Sequence, residues 1–128
     1  MSCWGSNPGQ LAIPILYPLT AIDGISDASE VQVGDRDHCV LTTGGDLKCW
    51  GANFSGKLGI VDANNVAVST VSTPTKVPTS GHVTSFALGT SKHTCFIDNA
   101  KVYCMGSNAS KQLGRDGTDS PVPVEVVW

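Results

Sequence analysis

Three short stretches of this chain are copies of one another. CWGSNPGQL begins at Cys3, CWGANFSGKLG at Cys49 and CMGSNASKQLG at Cys104, with steps of 46 and 55 residues between the equivalent cysteines. Self-similarity at such a period signals stacked supersecondary units that cannot bury their apolar faces alone. Upstream of the second copy runs VQVGDRDHCVLTTGGDLK and upstream of the third FALGTSKHTCFIDNAKVY, so each unit carries a Gly, a His and a Cys before a tight turn. The unit reads as a hairpin with ordered flanks.

The hairpins can be read residue by residue. Cys39 and Cys49 lie symmetrically about a three-residue loop, Thr43-Gly44-Gly45, in which a Gly takes the left-handed position of a bulge. Cys95 and Cys104 are symmetric about Asn99-Ala100, where Asn suits the positive φ of a two-residue turn and Ala suits it poorly. Opposed, non-hydrogen-bonded strand positions bring Cβ atoms to about 4.5–5.5 Å, within reach of disulfide geometry, and closing so short a loop contributes up to about 3 kcal/mol. The expected disulfides are Cys39 with Cys49 and Cys95 with Cys104. Cys3 is left over because the strand that would carry its partner does not precede it.

Composition agrees with a mostly β chain. Fourteen Gly and seven Pro punctuate 128 residues too often for long helices, while 41% hydrophobic and 15% charged content suits one globular domain. Five cysteines at matched spacings favour an oxidising compartment, extracellular or at a cell surface. No run approaches the roughly 20 apolar residues of a membrane span, and the first basic residue is Arg36, so direct membrane insertion is not expected and any export signal lies outside these residues. A net charge of -3 with eight scattered Lys and Arg disfavours nucleic acid as a partner.

The ordered set Val31-Gln32-Val33-Gly34, His38-Cys39-Val40-Leu41, Lys48-Cys49-Trp50-Gly51 and Asn53 through Leu58-Gly59 resembles the regulator of chromosome condensation repeat. Phe86-Ala87-Leu88-Gly89, His93-Thr94-Cys95, Tyr103-Cys104, Gly106, Asn108 and Gln112-Leu113-Gly114 follow the same pattern, and Asp116-Gly117-Thr118-Asp119-Ser120-Pro121 resembles its linker. The cysteine-rich, CWG-containing version looks like the bacterial exported branch of that family. The resemblance implies an all-β fold, a partial β-propeller of four-stranded antiparallel blades with the sequence repeat offset from the blade. On this reading residues 1–11 hold the closing strand of a truncated repeat, 12–59 and 60–114 are repeats, and 115–128 hold the opening strand of a further one. Two and a half units leave sheet edges and blade faces uncovered, so either missing chain or a homo-oligomer, a trimer foremost, is expected to complete the ring. Three departures stand out. Gly34 to Cys39 is one residue shorter than Gly89 to Cys95, Met105 replaces Trp, and Ala12 and Lys111 stand where the first and third copies call for Gly.

The histidines His38, His82 and His93 could suggest a metal, but His38 and His93 are expected to be structural, hydrogen-bonding backbone at the turn between blades. The eight- and nine-residue gaps between paired cysteines do not suit zinc, so no metal and no cofactor is expected. Neither a nucleophile elbow nor a phosphate loop is present, and Glu30 and Glu125 are the only glutamates, so the chain is not expected to be an enzyme. Trp4 and Trp50 occupy equivalent positions and are assigned to packing. Trp128 is a candidate contact to the next subunit. Propellers bind through loops, which makes Asp35, Arg36 and Asp37 in one unit and Thr90, Ser91 and Lys92 in the other the candidate ligand-binding rim, with Ile60 to Thr73 as a special loop. The expected function is a non-enzymatic recognition or adhesion module presenting those loops to a protein or glycan. The alternatives are a structural oligomerising tip or spacer of a fibre, and nucleotide exchange on a small GTPase, which the cysteines and net charge fit poorly.

Overall fold

The structure is a computed structural model, and it describes residues 2–3, 20–90 and 92–127. Its order of elements is β1 (Ser2–Cys3), β2 (Thr20–Ala21), β3 (Ala28–Val33), β4 (Asp37–Thr42), β5 (Leu47–Ala52), a single 3-10 turn (Phe54–Gly56), β6 (Thr70–Lys76), β7 (Val83–Leu88), β8 (His93–Asp98), β9 (Lys101–Gly106) and β10 (Ser120–Glu125). They form two four-stranded antiparallel meanders, β3-β4-β5-β6 and β7-β8-β9-β10, and a two-stranded pair, β1-β2. β6 completes the first sheet and β10 the second. The segment that reads as the opening strand of a further repeat therefore closes the second sheet, and each sheet runs one strand past its sequence repeat.

Both hairpins form in the expected register. Cys39 faces Cys49 and Cys95 faces Cys104, and both disulfides are present, with Cα atoms 4.2 and 4.1 Å apart. In the first turn Thr42 N–H donates to the Asp46 carbonyl across three loop residues, and Gly45 takes φ 89°. In the second, Asn99 and Ala100 both have positive φ, 51° and 65°, the mirror-image turn that matches strand twist.

The one-residue mismatch between the repeats is absorbed in a loop. Gly34 N–H donates to the Asp37 carbonyl across two residues, whereas Gly89 N–H donates to the His93 carbonyl across three. Asp37 opposes Gly51 just as His93 opposes Gly106, so Asp37 and His93 are the structural equivalents and His38 corresponds to Thr94. The two histidines that the sequence aligns stand on opposite faces of their sheets.

The core lies between the sheets and behind the first one. Leu41, Leu47, Leu58, Val77, Phe86, Phe96 and Met105 belong to one buried cluster, which Ile22 and Ile25 join. Trp50 is fully buried and stacks on His38, 5.3 Å between ring centroids, in accord with a packing role. Trp4 lies outside the described residues.

Positive φ at non-glycine residues marks local strain. Replacing Ala100 with Gly is expected to raise the unfolding free energy by about 0.5–1 kcal/mol, because Gly adopts that conformation freely while loosening the unfolded chain. Lys111, at φ 59° where the previous copy has Gly56, is expected to respond the same way. Urea denaturation of both variants checks this, and unchanged midpoints would show the turns to be unstrained.

Candidate recognition surface

In an antiparallel meander the connections between first and second strands and between third and fourth strands emerge at the same end. That end here carries residues 34–36 and 53–69 of the first sheet, and 89–92 and 107–119 of the second. Asp35 and Arg36 stand exposed at its rim, 3.9 Å apart as a surface ion pair, and Thr90 and Lys92 are exposed in the neighbouring loop. Ser91 and Trp128 lie outside the described residues.

Asp37 is a correction to the expected rim. It is the first residue of β4, only 2% exposed, and its carboxylate is ion-paired with Lys57, itself 1% exposed. Lys57 Nζ also donates to the Gly89 carbonyl at 3.1 Å, so the pair ties the first sheet to the second. Burial pushes the Asp37 carboxyl above its ordinary range, against the pull of the Lys57 ammonium. The tract expected as a special loop also divides. Residues 60–69 form it, closed by a Val61–Ala67 bridge and by Asp62 Oδ1 accepting from Asn64 and Val66 N–H, whereas Thr70–Thr73 belong to β6.

A buried asparagine frames each long loop. Asn53 Oδ1 accepts from Leu58 N–H at 2.8 Å, and its Nδ2 donates to the Ile60 and Val68 carbonyls at 2.9 and 2.7 Å. Asn108 repeats this with Leu113 N–H, and with the Arg115 and Gly117 carbonyls, each at 3.0 Å. The glycine after each Trp or Met has a mechanical reason: Gly51 and Gly106 both sit at φ 106°, and a Cβ there would strike the Arg36 or Lys92 carbonyl across the ladder. The frame is thus fixed, and the residues it displays are free to differ. Phe54, 52% exposed, and Val66, 59% exposed, are apolar members of this end that the repeat comparison did not single out. Their signal was present in the sequence as large apolar residues inside loops.

The histidines do not form the expected backbone bonds through Nδ1. That atom is buried and without a hydrogen-bond partner in both His38 and His93. Burial lowers the His38 pKa, which the Asp37 carboxylate only partly offsets. His82 instead joins Ser80 and Asp98 beside a hollow of 390 Å³ lined in part by Phe96 and Tyr103. The trio looks like hydrolytic machinery and is wired differently. Ser80 Oγ donates to Asp98 at 2.6 Å, and Asp98 also accepts the Ser80 and His82 backbone N–H groups, so the carboxylate clasps the loop between the sheets. A nucleophile would need its proton drawn toward the imidazole, with the carboxylate behind that ring. Among the described residues no group of three His, Cys, Asp or Glu side chains is arranged to hold a metal.

A fixed β frame with diversified loops at one end defines a β-propeller scaffold, of which the described residues form two blades. Residues 45–97 match the "Regulator of chromosome condensation (RCC1) repeat", a likeness that covers less than half of the chain. Over 109 residues the chain is 28% identical to the regulator of chromosome condensation of Drosophila melanogaster, an alignment covering 82% of this chain and 19% of that protein. Human WBSCR16 superposes with a TM-score of 0.71 at 18% identity over 87% of this chain and 28% of its own. Yeast RCC1 (Prp20) bound to Kap60 does so with a TM-score of 0.71 at 18% identity, over 97% of this chain and 32% of its own. Prp20p from Saccharomyces cerevisiae, solved in a study of its binding to Gsp1p and histones, gives a TM-score of 0.70 at 16% identity, over 97% and 34% respectively. These structures establish the fold, and the chain spans about a third of their length or less and about a fifth of the fly protein.

Lys57→Met leaves the Asp37 carboxylate buried without its cation and is expected to lower the unfolding free energy by about 3–5 kcal/mol, most of which Asp37→Leu added to it restores; equal loss in single and double variants by urea titration would refute the pairing. His38 has a folded pKa below its unfolded value, so the unfolded chain takes up the proton first and stability falls as pH drops below about 6.5. Thermal midpoints between pH 7.5 and 5 are expected to decline in the parent and to decline less in His38→Gln.

Proposed function

We propose that this chain is a non-enzymatic recognition module that binds a protein through the loop end of its blades. One observation carries the reading: the two blades share their frame position by position, while the loops that the frame supports differ in length, charge and apolar display. Asp35-Arg36 and the Phe54 and Val66 loop stand on one blade, and Thr90 and Lys92 on the other. The relatives support a protein partner, since structural neighbours were studied with Kap60, Gsp1p and histones. Two disulfides fit an oxidising setting, and with them an exported or surface-displayed protein. A glycan ligand is the finer alternative within the same reading.

Site-specific photo-crosslinking separates these cases. A crosslinker at Arg36, Phe54 or Lys92 is expected to capture a partner that one at Thr43 or Asn99, at the opposite end, does not. Equal capture from both ends, together with an empty glycan array, would overturn the assignment.

A second reading, ring completion by further copies of the chain, has its own observation. Ile97 is 38% exposed, whereas Leu41, its equivalent on the face that the second blade covers, is 6% exposed. The internal seam is not reproduced there. Gln32, whose amide bonds the Phe86 carbonyl and Leu88 N–H at 2.8 Å each, gives way to Ala87; Gly56, which lies against Pro121, to Lys111; and the Asp37–Lys57 pair to His93 and Gln112. A closed multiple of 13.3 kDa in native mass spectrometry, a trimer above all, is the result this reading expects, and Ile97→Asp should dissociate it. A monomer of that mass at micromolar concentration would dismiss it.

A further inference from the structure

The two framing asparagines each begin an N-x-S triplet, Asn53-Phe54-Ser55 and Asn108-Ala109-Ser110. Such triplets accept N-linked sugar, and an occupied one normally stands on an accessible surface loop. Here the acceptor side chains point the other way. Asn53 is 2% and Asn108 4% exposed, and in each the amide uses both Nδ2 hydrogens on carbonyls of its own loop while Oδ1 accepts a backbone N–H.

We infer that N-glycosylation of Asn53 or Asn108 and folding of the blade that contains it are mutually exclusive. Transfer from a polyprenyl diphosphate donor breaks the anomeric C–O bond to the diphosphate, forms a bond from the anomeric carbon to Nδ2, and removes one Nδ2 proton. One of the two carbonyl bonds is then lost, leaving a buried acceptor unpaired. The sugar must also emerge from a side chain that is almost wholly enclosed. Both loops depend on these amides, and their neighbours Leu58 and Leu113 are fully buried, so the damage reaches the core. The folded chain resists the modification and the modified chain does not fold. Maturation therefore needs an oxidising compartment in which asparagine-linked transfer is absent or slower than folding, whichever partner the loops recognise.

The test uses the full chain carrying Val66→Thr, which creates a third triplet at Asn64 in the exposed tip of the 60–69 loop. A soluble N-glucosyltransferase with UDP-glucose is applied to the folded, oxidised protein, and separately to the reduced and unfolded protein, with sites read by peptide mass spectrometry. In the folded protein glucose is expected on Asn64 and absent from Asn53 and Asn108. After modification of the unfolded protein and oxidative refolding, chains bearing glucose on Asn64 alone are expected to recover both disulfides and the parent thermal midpoint, and chains modified at Asn53 or Asn108 to lose them. Glucose on Asn53 or Asn108 of the folded protein, or full recovery of chains so modified, would overturn the inference. Loss of binding to a partner bears on the proposed function and leaves this result unaffected.

Discussion

A four-stranded sheet that is apolar on both faces cannot stand alone in water, and this constraint governs the chain. β4 of the first blade is buried along nearly its whole length, with Cys39 and Val40 on opposite faces and both fully inaccessible. The second blade covers one of those faces, and Ile22 and Ile25 belong to the cluster that includes Val40 and Trp50. Hydrophobic burial of this kind is non-directional, so it does not by itself fix how one sheet sits on the next. Direction comes from the few polar groups in the seam. The Gln32 amide reads a carbonyl and an N–H two residues apart on β7, as a neighbouring strand would, and Lys57 reaches the Gly89 carbonyl with its charge balanced by Asp37.

Much of this architecture was legible in the sequence because its determinants are local. Cys39 and Cys49 are placed opposite each other by the intervening loop alone, and Asn99 announces its turn by its own conformational preference. The blade offset was legible only through the family resemblance, since no local signal says that Thr70–Lys76 pairs back with β5 instead of opening the next unit. The misplacement of Asp37 has a clear origin. Matching on histidine aligns His38 with His93, while the backbone aligns on the paired cysteines and puts the extra residue in the loop, and a one-residue shift moves a side chain to the other face. The buried ion pair was hidden for a related reason. Asp37 and Lys57 are 20 positions apart, and a charged residue in a Gly-rich stretch reads as surface.

The frame also explains which departures from the repeat are tolerated. Met105 replaces Trp50 at no loss of burial, since both are fully inaccessible, and a flexible thioether adapts to the different neighbours of the second blade. Lys111 keeps the left-handed backbone of Gly56, showing that the loop's hydrogen-bond frame, centred on Asn108, holds the conformation against the preference of the side chain. Gly56 has a second constraint that Lys111 escapes, because Pro121 of the next blade lies directly on it.

That difference separates two roles that one repeated residue can play. Where a further blade is seated, the loop must be small enough to be overlaid, and the repeat keeps glycine. Where none is described, the position carries an exposed lysine ion-paired with Asp116 at 2.7 Å. The same logic runs through Gln32 and Ala87, and through Lys57 and Gln112: the anchors of the internal seam are specific to that seam, while the asparagines, the paired cysteines and the Gly51 and Gly106 crossings recur because each blade needs them for itself. Residues that recur build the blade, and residues that differ between blades decide what each one touches. The rim residues Asp35, Arg36, Thr90 and Lys92 belong to the second class, as do Phe54 and Val66, and the proposed recognition of a partner rests on these loops while stability rests on the frame beneath them.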